Sequence, residues 1–240
     1  MAAQDQAREF LDACAQIEQT LKARHNLEGV HGFGEVVRTV RDRDSVVRRY
    51  RDALSAFAEL RNAISHHSYQ GGLPIAVPLR TTVEAAKRVC QEIERPLSAG
   101  QVVTGAPMIA NITDPLREVL GRMTEESFSQ VPLYRGDEFA ALLTTNAVAR
   151  WVAANLDEDG MALLEGATAA AVLAFAEGHE VAEAVARTTP AATVLERLTS
   201  SSPPLAVLVT HNGRLTERPL GVLVAADVPR LLELMAVQVF

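Results

Sequence analysis

The chain has 240 residues, of which 48% are hydrophobic and 22% charged, and its formal net charge is −7. That length and apolar content can bury a sizeable core, which excludes a disordered polypeptide and allows one to two domains. The acidity argues against a protein built wholly around nucleic acid.

The opening residues carry acids and no hydrophobic signal core, and the richest apolar stretch, Ala167 to Ala176, is too short and alanine-heavy for a membrane span. The two cysteines, Cys14 and Cys90, read as idle thiols of a reducing compartment, so a soluble cytoplasmic protein without membrane contact is expected. From Gln6 to about His66 the apolar spacing is helical. Phe10, Leu11, Cys14, Ile17 and Leu21 form one stripe, and Val46, Val47, Tyr50, Leu54, Phe57, Leu60 and Ile64 form another. Between the stripes, Gly29, Gly32 and Gly34 favour a loop. Acids and bases balance before about Gly71, and a run holding Arg38, Arg41, Arg43, Arg48, Arg49 and Arg51 fits either a solvated helix face or a phosphate-binding one. The segment Ser68 to Pro78 is a connector. A further helix runs from Thr81 or Thr82, with Thr82 as a possible N-cap, to Glu94 before Pro96.

After Pro96 short β-like runs alternate with helices. Val102-Val103 and Met108-Ile109 are brief strand candidates. Pro115 opens a helix over Leu116 to Met123, followed by strand Val131 to Tyr134, turn Arg135-Gly136-Asp137, strand Phe139 to Thr144 and helix Ala147 to Ala153. The order then recurs: helix Ala191 to Leu198, strand Leu205 to Val209, turn His211-Asn212-Gly213, strand Gly221 to Val224 and helix Val228 to Met235. A repeated element order marks an internal duplication.

The stretch with Val131-Pro132 and Ala141-Leu142-Leu143-Thr144-Thr145-Asn146-Ala147 resembles a CBS module, and Gly221-Val222-Leu223-Val224-Ala225-Ala226-Asp227 resembles the same turn in a second copy. The resemblance spans roughly Val102 to Met235. It implies two βαββα modules paired about a pseudo-two-fold axis, with an adenine nucleotide as partner and AMP, ADP, ATP or a cyclic dinucleotide as regulatory ligand. No catalytic cofactor is implied. In that family a hydroxyl at the turn suits phosphate, and an Asp just inside the helix accepts from ribose hydroxyls. The first copy keeps Thr144, Thr145 and Asn146 but has Ala147 in place of the acid; the second keeps Asp227 but has Val224 in place of the hydroxyl. The ribose is therefore expected at Asp227, beside Thr188 or Thr189 and the strand Leu205-Ala206-Val207. A module without any ligand is the alternative, since a fold alone does not carry a site.

Earlier in the chain, Arg61-Asn62 followed by His66 resembles the signature of HEPN helical domains, with His67 as an alternative histidine and Tyr69 as an accessory residue. The resemblance implies a metal-independent endoribonuclease assembled across a homodimer, in which the His takes a proton from a ribose 2′-OH and the Arg holds the phosphate. Arg61 and His66 lie about 140° apart on an ideal helix, which favours a composite site. RNA would then run along the arginine-rich face. His25, His31, His179 and His211 are scattered at spacings no metal site would choose.

The sequence thus predicts an α+β chain: a HEPN-like all-helical bundle over 1–97, one CBS module over 98–155 and a second over 156–240. The expected function is a ligand sensor controlling a helical domain that cleaves RNA. A non-enzymatic nucleotide-binding or dimerisation module, whose helical part docks on a partner, is the alternative.

Overall fold

The computed structural model describes residues 2–66, 68–69, 73–74, 76–158, 162 and 164–235. They divide into two compact units: Met1–Leu97 with Pro190–Thr193 and Leu232–Phe240, and Ser98–Thr189 with Val194–Leu231.

The first unit contains α1 (Ala2–His25), α2 (Phe33–Val40), α3 (Ser45–Arg49), α4 (Arg51–His66), a two-stranded ribbon β1 (Ser68–Tyr69) and β2 (Leu73–Pro74), and α5 (Arg80–Glu94). Helix α1 packs on α5, α2 and α4. Its stripe of Phe10, Ile17 and Leu21 is fully buried, and Phe10 meets Phe57 of α4 edge-on with ring centroids 5.8 Å apart. Burying a side chain of this size stabilises by about 1.5–3 kcal/mol, so this stripe carries much of the unit's stability.

The second apolar stripe is broken into two helices at Tyr50. Asp44 starts α3 upstream of that break, capping it by accepting from the amides of Val46 (2.9 Å) and Val47 (3.1 Å). The other carboxylate oxygen of Asp44 meets Arg24 at 3.2 Å and His25 at 2.9 Å, tying the end of α1 to the start of α3. Burial pushes the Asp44 carboxyl up, but His25, the Val47 amide and Arg24 together hold it below its ordinary value. Helix α5 begins at Arg80 with Leu79 as its N-cap, so Thr82 lies inside the first turn and does not cap.

The second unit contains α6 (Ala99–Val102), β3 (Ala110–Asn111), α7 (Leu116–Glu125), β4 (Gln130–Arg135), β5 (Glu138–Thr144), α8 (Thr145–Ala154), α9 (Ala170–Leu173) and β6 (Ala182–Ala186). The chain continues through α10 (Ala191–Leu198), which belongs to this unit from Val194 on, β7 (Ala206–Thr210), β8 (Gly221–Leu223), a 3-10 turn Ala225–Asp227 and α11 (Val228–Leu234), which belongs to it as far as Leu231. Two three-stranded sheets result, β3-β4-β5 and β6-β7-β8. In each sheet the first pair is parallel, joined through a helix, and the second is an antiparallel hairpin. The chain therefore repeats the order β-α-β-β-helix, and the first hairpin turns at Gly136 with φ 62°.

Two departures from the sequence reading have clear causes. Val102 ends a helical turn and not a strand, because Ser98 and Gln101 form a capping box around Ala99–Val102. Strand pairing begins at Ala110, just after Met108-Ile109, once the chain has passed Gly105 (φ 75°) and Pro107. One core, holding Leu116, Val119, Val131, Leu133, Leu143 and Trp151 among others, fills the first copy. A second cluster joins the copies: Leu142 of β5 meets Ala206 and Leu208 of β7, with Phe139, Ala182 and Val222 around them.

Candidate functional site

A cleft of about 350 Å³ opens in the second unit. One wall is residues 104–108, leading into β3, and another is residues 127–130, from the end of α7 into the start of β4. Pro132 adds to this side. The facing wall is Val222, Val224, Ala226 and Asp227, from β8 and the 3-10 turn. The position of the first wall depends on Gly221, because a Cβ there would overlap the side chain of Val103.

Local chemistry fixes each wall. Helix α7 ends with the Phe128 amide on the Met123 carbonyl (2.8 Å) and the Ser127 amide on that of Thr124 (3.3 Å), the paired bonds of a Schellman cap. Its left-handed residue is Ser127, φ 57°, where glycine is usual. Gln130 donates its side-chain amide to the Leu205 carbonyl at 3.1 Å. Asp227 folds back on its own turn: one oxygen accepts from the Val224 amide (3.0 Å) and the other from Arg230 (2.9 Å), while Arg230 also donates to the Val102 carbonyl (2.7 Å). The remaining lining is apolar, apart from the hydroxyls of Thr104, Ser127 and Ser129 and the Gln130 amide.

The matching turn of the first copy is closed. Thr144 is 3% exposed; its hydroxyl accepts from the Ala147 amide (2.9 Å) and donates to Glu180 (2.7 Å). Glu180 is buried as well, and also accepts from Arg150 and from the Glu177 amide (2.8 Å). Burial pushes the Glu180 carboxyl up, but the Glu177 amide, Thr144, Arg150 and His179 outweigh it and hold the group below its ordinary value. Thr145 and Asn146 are exposed at the start of α8.

Of the ligand-binding residues expected from sequence, Asp227 alone lines the cleft. Ala206 and Val207 are buried in β7, Leu205 precedes it, and Thr188 and Thr189 stand in the turn after β6, away from the cleft lining. Residues 104–108 and 127–130 were not anticipated; the one signal for that side was the Val131-Pro132 pair. Glu180 and Arg150 also carried no local signal.

In the helical unit, Arg61 and Asn62 sit near the end of α4, where Arg61 donates to the Asn62 side chain at 3.3 Å. His66 is the last residue of α4 and Tyr69 ends β1, while His67 lies outside the described residues. Asn62 borders a groove of about 700 Å³ between α2 and α4, lined by Arg38, Arg41, Arg48 and Arg51 together with Asp42, Asp52 and Glu59. Arg41 pairs with Asp42 at 3.6 Å and Arg51 with Asp52 at 3.4 Å. Among the described residues no group of three or more acidic, His or Cys side chains is placed to hold a metal, and no helix is long and apolar enough to cross a membrane.

No family model matches the chain, and neither does any curated protein. Solved structures similar to it include CBS-domain proteins. A CBS-domain protein of unknown function from Bacillus anthracis is 14% identical, with 60% of this chain and 98% of that chain covered and a TM-score of 0.44. The CBS domain of a membrane protein from Sphaerobacter thermophilus is 15% identical, covering 63% and 98%, with a TM-score of 0.44. A CBS domain pair solved with 5′-methylthioadenosine and S-adenosylmethionine is 13% identical, covering 59% and 99%, with a TM-score of 0.41.

Proposed function

We propose that the second unit is a pair of CBS-type modules acting as a ligand-sensing regulatory element, and that its ligand is an adenosine-type compound held at Asp227. The observation that carries this is the cleft itself: a carboxylate on one wall, apolar strand residues beside it, and small hydroxyls opposite. A carboxylate that already accepts from a backbone amide keeps lone pairs for the two hydroxyls of a ribose, and an apolar slot suits a flat base. In this reading the chain works as a homodimer in the cytoplasm, and the ligand favours one arrangement of the helical units over another by its difference in affinity for the two.

Thermal-shift titration against adenosine compounds tests the reading. A ligand at a hundred times its Kd stabilises by about 2.7 kcal/mol, a readily measured shift. Asp227→Ala is expected to abolish the shift while the variant stays folded; a shift that survives the substitution would place the ligand elsewhere.

A second reading, RNA cleavage by the helical unit, is favoured by the arginine-lined groove that Asn62 borders. Here Arg61 would hold phosphate and His66, or His67, would move the proton. Incubation with mixed RNA in EDTA should give cleavage that Arg61→Ala and His66→Ala each remove. Cleavage unchanged in both variants excludes this role.

A further inference from the structure

We infer that the Asp227 cleft selects an uncharged nucleoside over its phosphorylated forms. This inference rests on the reading of that cleft as an adenosine site and specifies the ligand class. Among the described residues that line it, none is Lys, Arg or His, and Asp227 is acidic. The nearby guanidinium of Arg230 is already shared between Asp227 at 2.9 Å and the Val102 carbonyl at 2.7 Å.

The turn offers a phosphate little else. Val224, at the head of the turn, has no hydroxyl to offer, and its own amide donates to Asp227 at 3.0 Å. The Asp227 amide is likewise taken by the Val224 carbonyl at 2.9 Å. Pro229, second residue of α11, has no amide hydrogen. The polar side chains that remain in the lining are neutral: the Thr104, Ser127 and Ser129 hydroxyls and the Gln130 amide, which suit a base edge or a sugar hydroxyl. A phosphate entering here would lose water, gain no cation and stand near a carboxylate.

The test is calorimetric titration of the full chain with adenosine, 5′-deoxyadenosine, AMP and ATP, at low and at physiological salt. Adenosine and 5′-deoxyadenosine are expected to bind at least tenfold more tightly than AMP, with ATP weaker again. The penalty on AMP should shrink as salt screens the repulsion. AMP or ATP binding as tightly as adenosine overturns the inference and leaves the adenosine site standing, provided Asp227→Ala removes the binding. If none of the four binds, the inference and the reading beneath it both fall.

Discussion

The two copies of the βαββα unit treat the same turn in opposite ways. In the first, Thr144 reaches forward to cap the Ala147 amide; in the second, Asp227 reaches back to cap the amide of Val224, which has no acceptor of its own. These are the two halves of one capping box, divided between two copies. The first half is buried against Glu180 and Arg150, whereas the second borders an open cleft. A repeated unit can thus keep its backbone in both copies while one turn is locked by buried partners and the other borders an open cleft.

The largest expected effect breaks the lock. Glu180→Ala leaves Thr144 and Arg150 without their shared partner and should lower stability by about 1.5–3 kcal/mol, the range for hydrogen bonds to a charged group, since Arg150 is one-third exposed. Trp151 is the chain's one tryptophan and lies buried in α8, so its fluorescence in urea follows this unit. Asp227→Ala should cost only about 1 kcal/mol, a helix cap with a partly exposed ion pair. Equal costs at the two acids would erase the distinction between lock and cleft.

The lock also has a pH signature. Because the folded-state pKa of Glu180 lies below the ordinary value of 4.5, its contribution is complete above that pH and is lost as pH falls through the lowered value. The stability gap between the wild type and Glu180→Gln should therefore be constant near neutrality and close in acid. The smallest effect sharpens the comparison from the other side. Val224→Thr would complete the capping box of the second copy and add roughly 0.5–1 kcal/mol, read by the same urea titration.

Much of this architecture was legible because it is local. The hairpin around Gly136 is announced by alternation and a turn, and Pro190 opens α10 one residue ahead of Ala191. Strand β6 was not legible: its sequence AEAVA has small alanines where β-branched residues would have signalled a strand, and it forms by parallel pairing to β7. The same limit applied to the site. Asp227 was visible from its own turn, but Glu180 is 36 residues from Thr144, and no local pattern connects them. His25 likewise meets Asp44 from 19 residues away, a pairing that no local pattern announces.

Gly221 gives the cleft one more property. Its missing methyl is the room that Val103 occupies, and the chain runs directly from Val103 into the wall at 104–108. The spacing between the walls is therefore set by a gauge at the edge of the slot, one carbon atom thick and separate from the carboxylate. Under the proposed function, the size of the ligand and the chemical groups it must carry would be controlled by different residues, so a lineage could change one without disturbing the other.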